Sequence, residues 1–288
     1  MSEAITQHIK EYSRAARMLA VIGAALKLRS AGNVDAALDA HIKDGLRLAL
    51  GDAAMDLDDA EVAPLLTTIE MALSESGELF RNPERTAAWH VEDRQLLQAM
   101  GRASSTAFDR ILGLAGARPS LRDTLDGVFL DVGTGVGGIA LRAAETCRDL
   151  QIDAIDIWEP ALALAAENIA ASPHAGRIGL RRLDVTALPP GPRYTLAWLP
   201  TMFLKRSLIE QAIERIAAAS QPGGWLVAPL YSKPDDPFMA VMSSLRTLRS
   251  GGEVTETSEL VDLLRARGYV DIEVDPAPIA SFVMGRLP

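Results

Sequence analysis

The sequence has a single cysteine, Cys147, so no internal disulfide can brace it; the thiol is expected to serve as a small buried packing residue. No apolar run approaches the length that crosses a bilayer, and the first residues lack the basic-then-apolar pattern of an export signal. A reducing cytoplasmic location, with no membrane partner, is the expectation. Positive charge is also short: 29 Lys and Arg stand against 38 Asp and Glu, a net charge of −9. Such a chain has no general attraction for nucleic acid, and none is expected as a partner. His8, His41 and His174 have no companion at metal-ligand spacing, so they read as surface residues and no metal is expected.

What is present is apolar: 48% of 288 residues, enough for one large domain or a domain with an appendage. Residues 1 to about 115 hold no convincing strand. Ile5 to Leu28 is a long amphipathic helical pattern, Asn33 is placed to cap a second helix, and Asp58 or Asp59 starts a third. Pro83 is placed to open a fourth, through Trp89, Leu97, Met100, Phe108 and Ile111, with a break expected near Gly101. Trp89 and His90 are candidates to face a substrate, His90 as a base because imidazole titrates near neutral pH. A packing role is the plainer reading of both. Tyr12, Arg14 and Arg17 read as a solvated helix face or an anion contact.

The organising stretch is Gly127-Val-Phe-Leu-Asp-Val-Gly-Thr-Gly-Val-Gly-Gly138. Val128 to Val132 is a short apolar run, the mark of a strand buried on both faces. Glycines follow, then a helical pattern through Ile139, Ala140, Ala143 and Ala144. Gly133, Gly135 and Gly138 satisfy the dinucleotide spacing G-x-G-x-x-G, while Gly133, Gly135 and Gly137 satisfy G-x-G-x-G. Asp131 helps to decide between them. A carboxylate at the end of that strand repels a pyrophosphate but welcomes a ligand with an ammonium group and no phosphate.

Leu130-Asp-Val-Gly-Thr-Gly-Val-Gly137 resembles the first motif of the class I S-adenosylmethionine-dependent methyltransferases. The resemblance covers roughly residues 120 to 288 and implies S-adenosylmethionine (SAM) as cofactor. It implies that Asp131 and the backbone of Gly133, Thr134, Gly135 and Gly137 hold the methionine part. Asp156, ending a second strand from Gln151 to Ile157, would take the ribose hydroxyls, a device that NAD enzymes share. Ile157 would pack on the adenine, and Asp184 with Val185, after a third strand from Ile178, would bind its amino edge. Asp184 alone reads as a turn or helix cap.

Tyr194 to Leu199 is the fourth strand. Leu199, Pro200, Thr201, Met202 and Phe203 form an apolar wall where the family holds its acceptor; a plain core role is the alternative. The Asn/Asp-Pro-Pro-Tyr/Phe motif of amino methyltransferases is missing, as is the acidic set of a magnesium-assisted catechol enzyme. Pro-Gly-Gly at 222–224 leads into a fifth strand, which should leave its ladder at Pro229, and Tyr231 at its end is a second weak candidate for a base. Thr257 or Ser258 caps a helix ending near Gly268. Two strands, about Val270 to Val274 and Ile279 to Met284, then form a hairpin.

The expected fold is therefore α/β: a doubly wound, mostly parallel seven-stranded sheet with an antiparallel last strand, preceded by an all-helical domain. The expected domains are residues 1–115, a helical cap or dimerisation domain, and 116–288, a Rossmann-like SAM-binding domain. The expected activity is methyl transfer to a small molecule, with a homodimer through the helical part. An NAD-dependent oxidoreductase and a non-catalytic dimeric scaffold or regulator are the competing readings.

Overall fold

The computed structural model describes residues 3–31, 34–84 and 94–288. The chain divides into two compact units, Met1–Arg85 and Thr86–Pro288.

The first unit holds three helices, α1 (Glu3–Leu28), α2 (Ala36–Leu50) and α3 (Asp59–Arg81). Ile22, Leu26, Leu46 and Ile69 form its small core. The α2 cap is Asp35, whose side chain accepts from the Leu38 amide; Asn33, expected there, lies outside the described residues. Helix α3 begins as its sequence implies, with Asp58 and Glu61 exchanging side-chain and backbone hydrogen bonds. Helix α1 leaves Ile5, Ile9, Tyr12 and Leu19 exposed.

The second unit opens with α4 (Arg94–Gly116) and the single turn α5 (Pro119–Arg122). Alternation follows: β1 (Val128–Val132), α6 (Gly138–Thr146), β2 (Gln151–Asp156), α7 (Glu159–Ala170), β3 (Ile178–Arg182), β4 (Tyr194–Trp198), α8 (Arg206–Ala219) and β5 (Ser220–Tyr231). Then come α9 (Pro237–Arg249), α10 (Thr257–Ala266), β6 (Val270–Asp275) and β7 (Ala280–Arg286). The sheet order is β3-β2-β1-β4-β5-β7-β6, and β7 runs antiparallel to both neighbours. Phe129 packs on one face with Phe108, Ile139 and Trp198, and Leu130 on the other with Ile155, Ile209 and Leu260. Helices on both faces explain why β1 is apolar at every position but Asp131.

The units divide near residue 85, not at the 115/116 boundary read from the sequence. Helix α4 belongs with the sheet because Phe108 and Ile111 are fully buried in its core. Arg110 adds polar anchorage. Its guanidinium binds the Asp275 carboxylate at 2.6 Å and the Asp275 and Ala280 carbonyls at 2.6 Å, and stacks 3.9 Å from the Phe282 ring centroid. Pro83 lies in a turn and α4 is described only from Arg94; Trp89 and His90 lie outside the described residues. No break occurs at Gly101, which instead lets α4 approach its neighbour closely. Helix α9 was not read from the sequence. The cap of α10 is Glu256, reciprocated by Glu259, in place of Thr257 or Ser258.

Pro229 is instructive. Against β7 the strand continues past it to Tyr231, with Pro229 opposite Phe282. Against β4 the ladder ends at Val227, whose carbonyl accepts from the Leu199 amide. Backbone groups alternate sides, so Pro229 turns its missing N–H toward that ended ladder, where its carbonyl takes the Thr201 hydroxyl at 2.7 Å. The expected departure is thus real on one side only. Among the described residues no helix is long and apolar enough to cross a membrane.

Candidate functional site

The carboxyl ends of β1, β2 and β4 lie side by side, since β1 pairs with both others. Most of the expected cofactor residues fall at those ends, and Asp184 and Val185 follow β3, which pairs with β2. Asp131 sits one residue before the end of β1 and is fully buried. Its Oδ2 accepts from the Thr134 hydroxyl at 2.6 Å, while Oδ1 is buried with no hydrogen-bond partner among the described residues. Burial is the main reason this carboxyl is pushed up to about 7; the Thr134 hydroxyl opposes it, the nearby Asp156 charge adds to it, and the Ala140 amide opposes it.

Gly133, Gly135 and Gly137 all take positive φ, +66°, +58° and +84°, so the turn from β1 into α6 is closed to L side chains without strain. Within it the Gly137 amide donates to the Thr134 carbonyl at 2.9 Å, and the Thr134 amide to the Ile155 carbonyl at 3.1 Å. Asp156 braces the turn from the next strand: its Oδ2 accepts from the Gly135 amide and its Oδ1 from the Trp158 amide, each at 2.8 Å. Ile157, the next residue, is 62% exposed, an apolar side chain left open beside this cradle.

Asp184 and Val185 follow β3. Asp184 spends Oδ1 on its own turn, accepting from the Thr186 amide and hydroxyl at 2.8 Å each, while Val185 is buried. After β4 the wall is as apolar as its sequence: Leu199, Thr201 and Met202 are buried, and the only hydroxyl there is taken by Pro229. Phe203 meets Tyr231 edge to face, centroids 6.1 Å apart, and the Arg246 guanidinium lies 5.1 Å from the Tyr231 centroid. Beyond them Thr201, Met202, Tyr231, Lys233, Thr247 and Glu256 line a cavity of about 50 Å³, room for a few waters. Lys233 and Glu256 are ion-paired at 3.0 Å.

Sequence reasoning missed several participants. The Thr134 hydroxyl on Asp131 sat inside the quoted motif. Arg246 lies on the unread helix α9, whose Asp236-Pro237 start, with Asp236 accepting from the Met239 amide, was the available signal. Asn168, which bonds the glycine turn, and Gln98, which bonds Asn168, carry no motif at all. Trp89 and His90 lie outside the described residues, so nothing here places them.

Residues 129–224 match the family model described as a methyltransferase domain. Over 57 residues the chain is 47% identical to the tRNA1(Val) (adenine(37)-N6)-methyltransferase of Erwinia tasmaniensis, covering 19% of this chain and 23% of that protein. Over 111 residues it is 32% identical to the ubiquinone/menaquinone biosynthesis C-methyltransferase of Geobacter sulfurreducens, covering 38% and 43%. The matches thus span less than half the length of these curated relatives.

Solved structures extend the likeness in fold. Human N-acetylserotonin methyltransferase in complex with SAM gives a TM-score of 0.65 at 16% identity, covering 100% of this chain and 98% of that one. An O-methyltransferase family protein from Burkholderia thailandensis gives 0.66 at 13%, covering 100% and 98%. Mitomycin 7-O-methyltransferase gives 0.62 at 17%, covering 98% of each. Residues 129–224 thus carry a methyltransferase domain, and the fold over the whole chain is that of the solved methyltransferases above, as the resemblance of Leu130–Gly137 to the class I S-adenosylmethionine-dependent methyltransferases implied.

Proposed function

We propose that the protein transfers a methyl group from SAM to a small-molecule acceptor. The observation that carries the choice of cofactor is the Asp156 carboxylate on the Gly135 amide. That amide is one of the donors a pyrophosphate would need, and it is already given to an anion. The buried, unpartnered Oδ1 of Asp131 suits an ammonium, and open Ile157 suits the flat face of an adenine, so the residues fit the group. In this reading Asp131 and the Gly133–Gly137 backbone hold the methionine part and Asp156 the ribose. Val185, with the remaining oxygen of Asp184, meets the adenine edge. What the cofactor supplies is an electrophilic sulfonium methyl open to in-line displacement.

The protein's own part is to align and to exclude water. The wall of Leu199, Pro200, Met202 and Phe203 offers surface and no proton acceptor. Tyr231 has its ring engaged by Phe203 and Arg246. An acceptor already nucleophilic at neutral pH suits this wall best, because it needs no base. A small molecule is favoured over nucleic acid by the net charge of −9 and by Leu-Pro-Thr-Met in place of the Asn/Asp-Pro-Pro-Tyr/Phe motif. The exposed Ile5, Ile9, Tyr12 and Leu19 of α1 support a homodimer formed through the helical unit, and the lone buried thiol supports a cytoplasmic setting.

Calorimetry with SAM and NADH, followed by transfer of labelled methyl from SAM to a metabolite extract or to bulk tRNA, tests the reading. Micromolar SAM binding and label in small molecules are expected. NADH binding without SAM binding would replace it by the oxidoreductase. Label in tRNA alone would overturn the acceptor class, and SAM binding with no transfer would favour a scaffold or regulator.

A further inference from the structure

The glycine turn is held from outside by two side-chain amides that belong to neither β1 nor α6. Asn168, on α7, donates through Nδ2 to the Val136 carbonyl at 2.9 Å. The same Nδ2 donates to Gln98 Oε1 at 3.1 Å, and Asn168 Oδ1 accepts from Gln98 Nε2 at 3.0 Å. The two amides therefore interlock, and only one orientation works: turning Asn168 over would set its oxygen against the Val136 carbonyl oxygen.

The peptide they grip matters. Val136 contributes the carbonyl and Gly137 the N–H of one peptide plane, and that N–H donates to the Thr134 carbonyl. The plane is thus fixed at both ends, by Asn168 outside and by Thr134 within. Around it Leu97, Val136 and Leu164 form a buried apolar cluster of their own, and Arg94 pairs with Glu167 at its rim. The backbones also touch: a Cβ on Gly138 would lie 2.1 Å from the Gly101 carbonyl oxygen. Helices α4 and α7 together close on the turn like a clamp.

We propose that Asn168 and Gln98 are positioning residues for the cofactor turn, acting through the Val136–Gly137 peptide to hold its backbone donors in the shape that SAM requires. The inference rests on the proposed SAM site. It adds that helix α4, which meets no substrate in this reading, sets cofactor affinity.

Asn168→Asp is the sharpest test, since it keeps the shape and replaces the donor by an oxygen facing a carbonyl oxygen. We expect the variant to fold, with its melting temperature within a few degrees of wild type. SAM and S-adenosylhomocysteine should bind at least tenfold more weakly, and amide exchange in the 133–138 segment of the ligand-free protein should speed up. Gln98→Ala should move both readouts the same way by less, and Asn168→Ala serves if Asn168→Asp fails to fold. A merely structural role would lower the melting temperature and leave the affinity of the folded protein and the exchange of the turn unchanged; that outcome overturns the proposal. Should wild type bind no SAM, the cofactor reading fails, while exchange in the turn still decides whether the clamp exists.

Discussion

Two of the three glycines of helix α4, Gly101 and Gly113, should answer the same substitution with opposite signs. Alanine in a helix interior is favoured over glycine by about 1 kcal/mol. At Gly113, exposed, nothing lies within 4 Å of an added Cβ, so Gly113→Ala should collect most of that gain. At Gly101 the added Cβ would lie 2.1 Å from Val136 Cγ2. Val136 cannot swing away: it is β-branched, buried, and packed with Leu97 and Leu164. Relief requires the helix or the glycine turn to shift, and overpacking of this kind costs about 1–3 kcal/mol. The helical gain is common to both variants, so the gap between them is the overpacking cost itself. At about 2–4 °C per kcal/mol for a unit of this size, Gly101→Ala should melt roughly 2–12 °C below Gly113→Ala. Thermal melts and urea unfolding of the two variants side by side give the number. SAM titration should weaken only in Gly101→Ala, because only there does the turn move. Equal melting temperatures, or equal affinities, would show that the α4 crossing does not constrain the turn.

Asp156→Ala should leave the fold intact and weaken SAM binding by about tenfold or more, since hydrogen bonds to a charged group are worth about 1.5–3 kcal/mol; an unchanged dissociation constant would remove Asp156 from the site. Asp131 is held up to about 7 by burial, so the folded protein keeps a proton that the unfolded chain loses from about pH 4 upward. Stability from this group falls as pH rises across that window. Asp131→Asn should therefore raise the melting temperature at pH 8, show little difference near pH 4, and bind SAM more weakly; a pH-independent difference would refute the assignment. Buried Asp153 behaves oppositely. Burial pushes its carboxyl up, but hydrogen bonds from Arg181 at 2.6 Å and 2.9 Å and from Tyr194 at 2.5 Å, with the Arg181 and Arg193 charges, hold it below its ordinary value. Its contribution is present above that ordinary value and is lost as pH falls through the depressed one. Asp153→Ala should cost about 3 kcal/mol at pH 7, nearer the lower end of losses from broken buried pairs because Arg181 reaches solvent; the loss should shrink in acid, which urea titration against pH would measure.

The parts that sequence revealed are those whose physics is local. The apolar residues around Asp131 in β1 are visible because both faces of that strand are covered, and a positive-φ turn is visible because glycine must occupy it. Asp156 was legible by its place at a strand end. Pro229 was half legible, since its lost N–H matters to one neighbour and the sequence does not say which. Asn168 and Gln98 left no trace: an amide's usefulness depends on what faces it, and these two face each other from helices 70 residues apart in sequence. Helix α4 was assigned to the wrong neighbours for the same reason. Its amphipathic stripe declares that it packs, while Arg110 finds its partners only at Asp275 and Ala280.

The strand order carries a consequence for synthesis. Strand β7 follows β6 in the chain yet lies between β5 and β6. While the chain is being made, β5 can join β4 long before the residues at 280–286 exist. Its other edge, running through Trp225, Leu226, Val227 and Ala228, then waits uncovered, and the α10–β6 segment has nothing to pair with. An apolar edge left open is an invitation to another nascent chain. A ribosome paused between residues 231 and 280 should therefore hold its most aggregation-prone product, and dependence on holdase chaperones should peak for chains of that length.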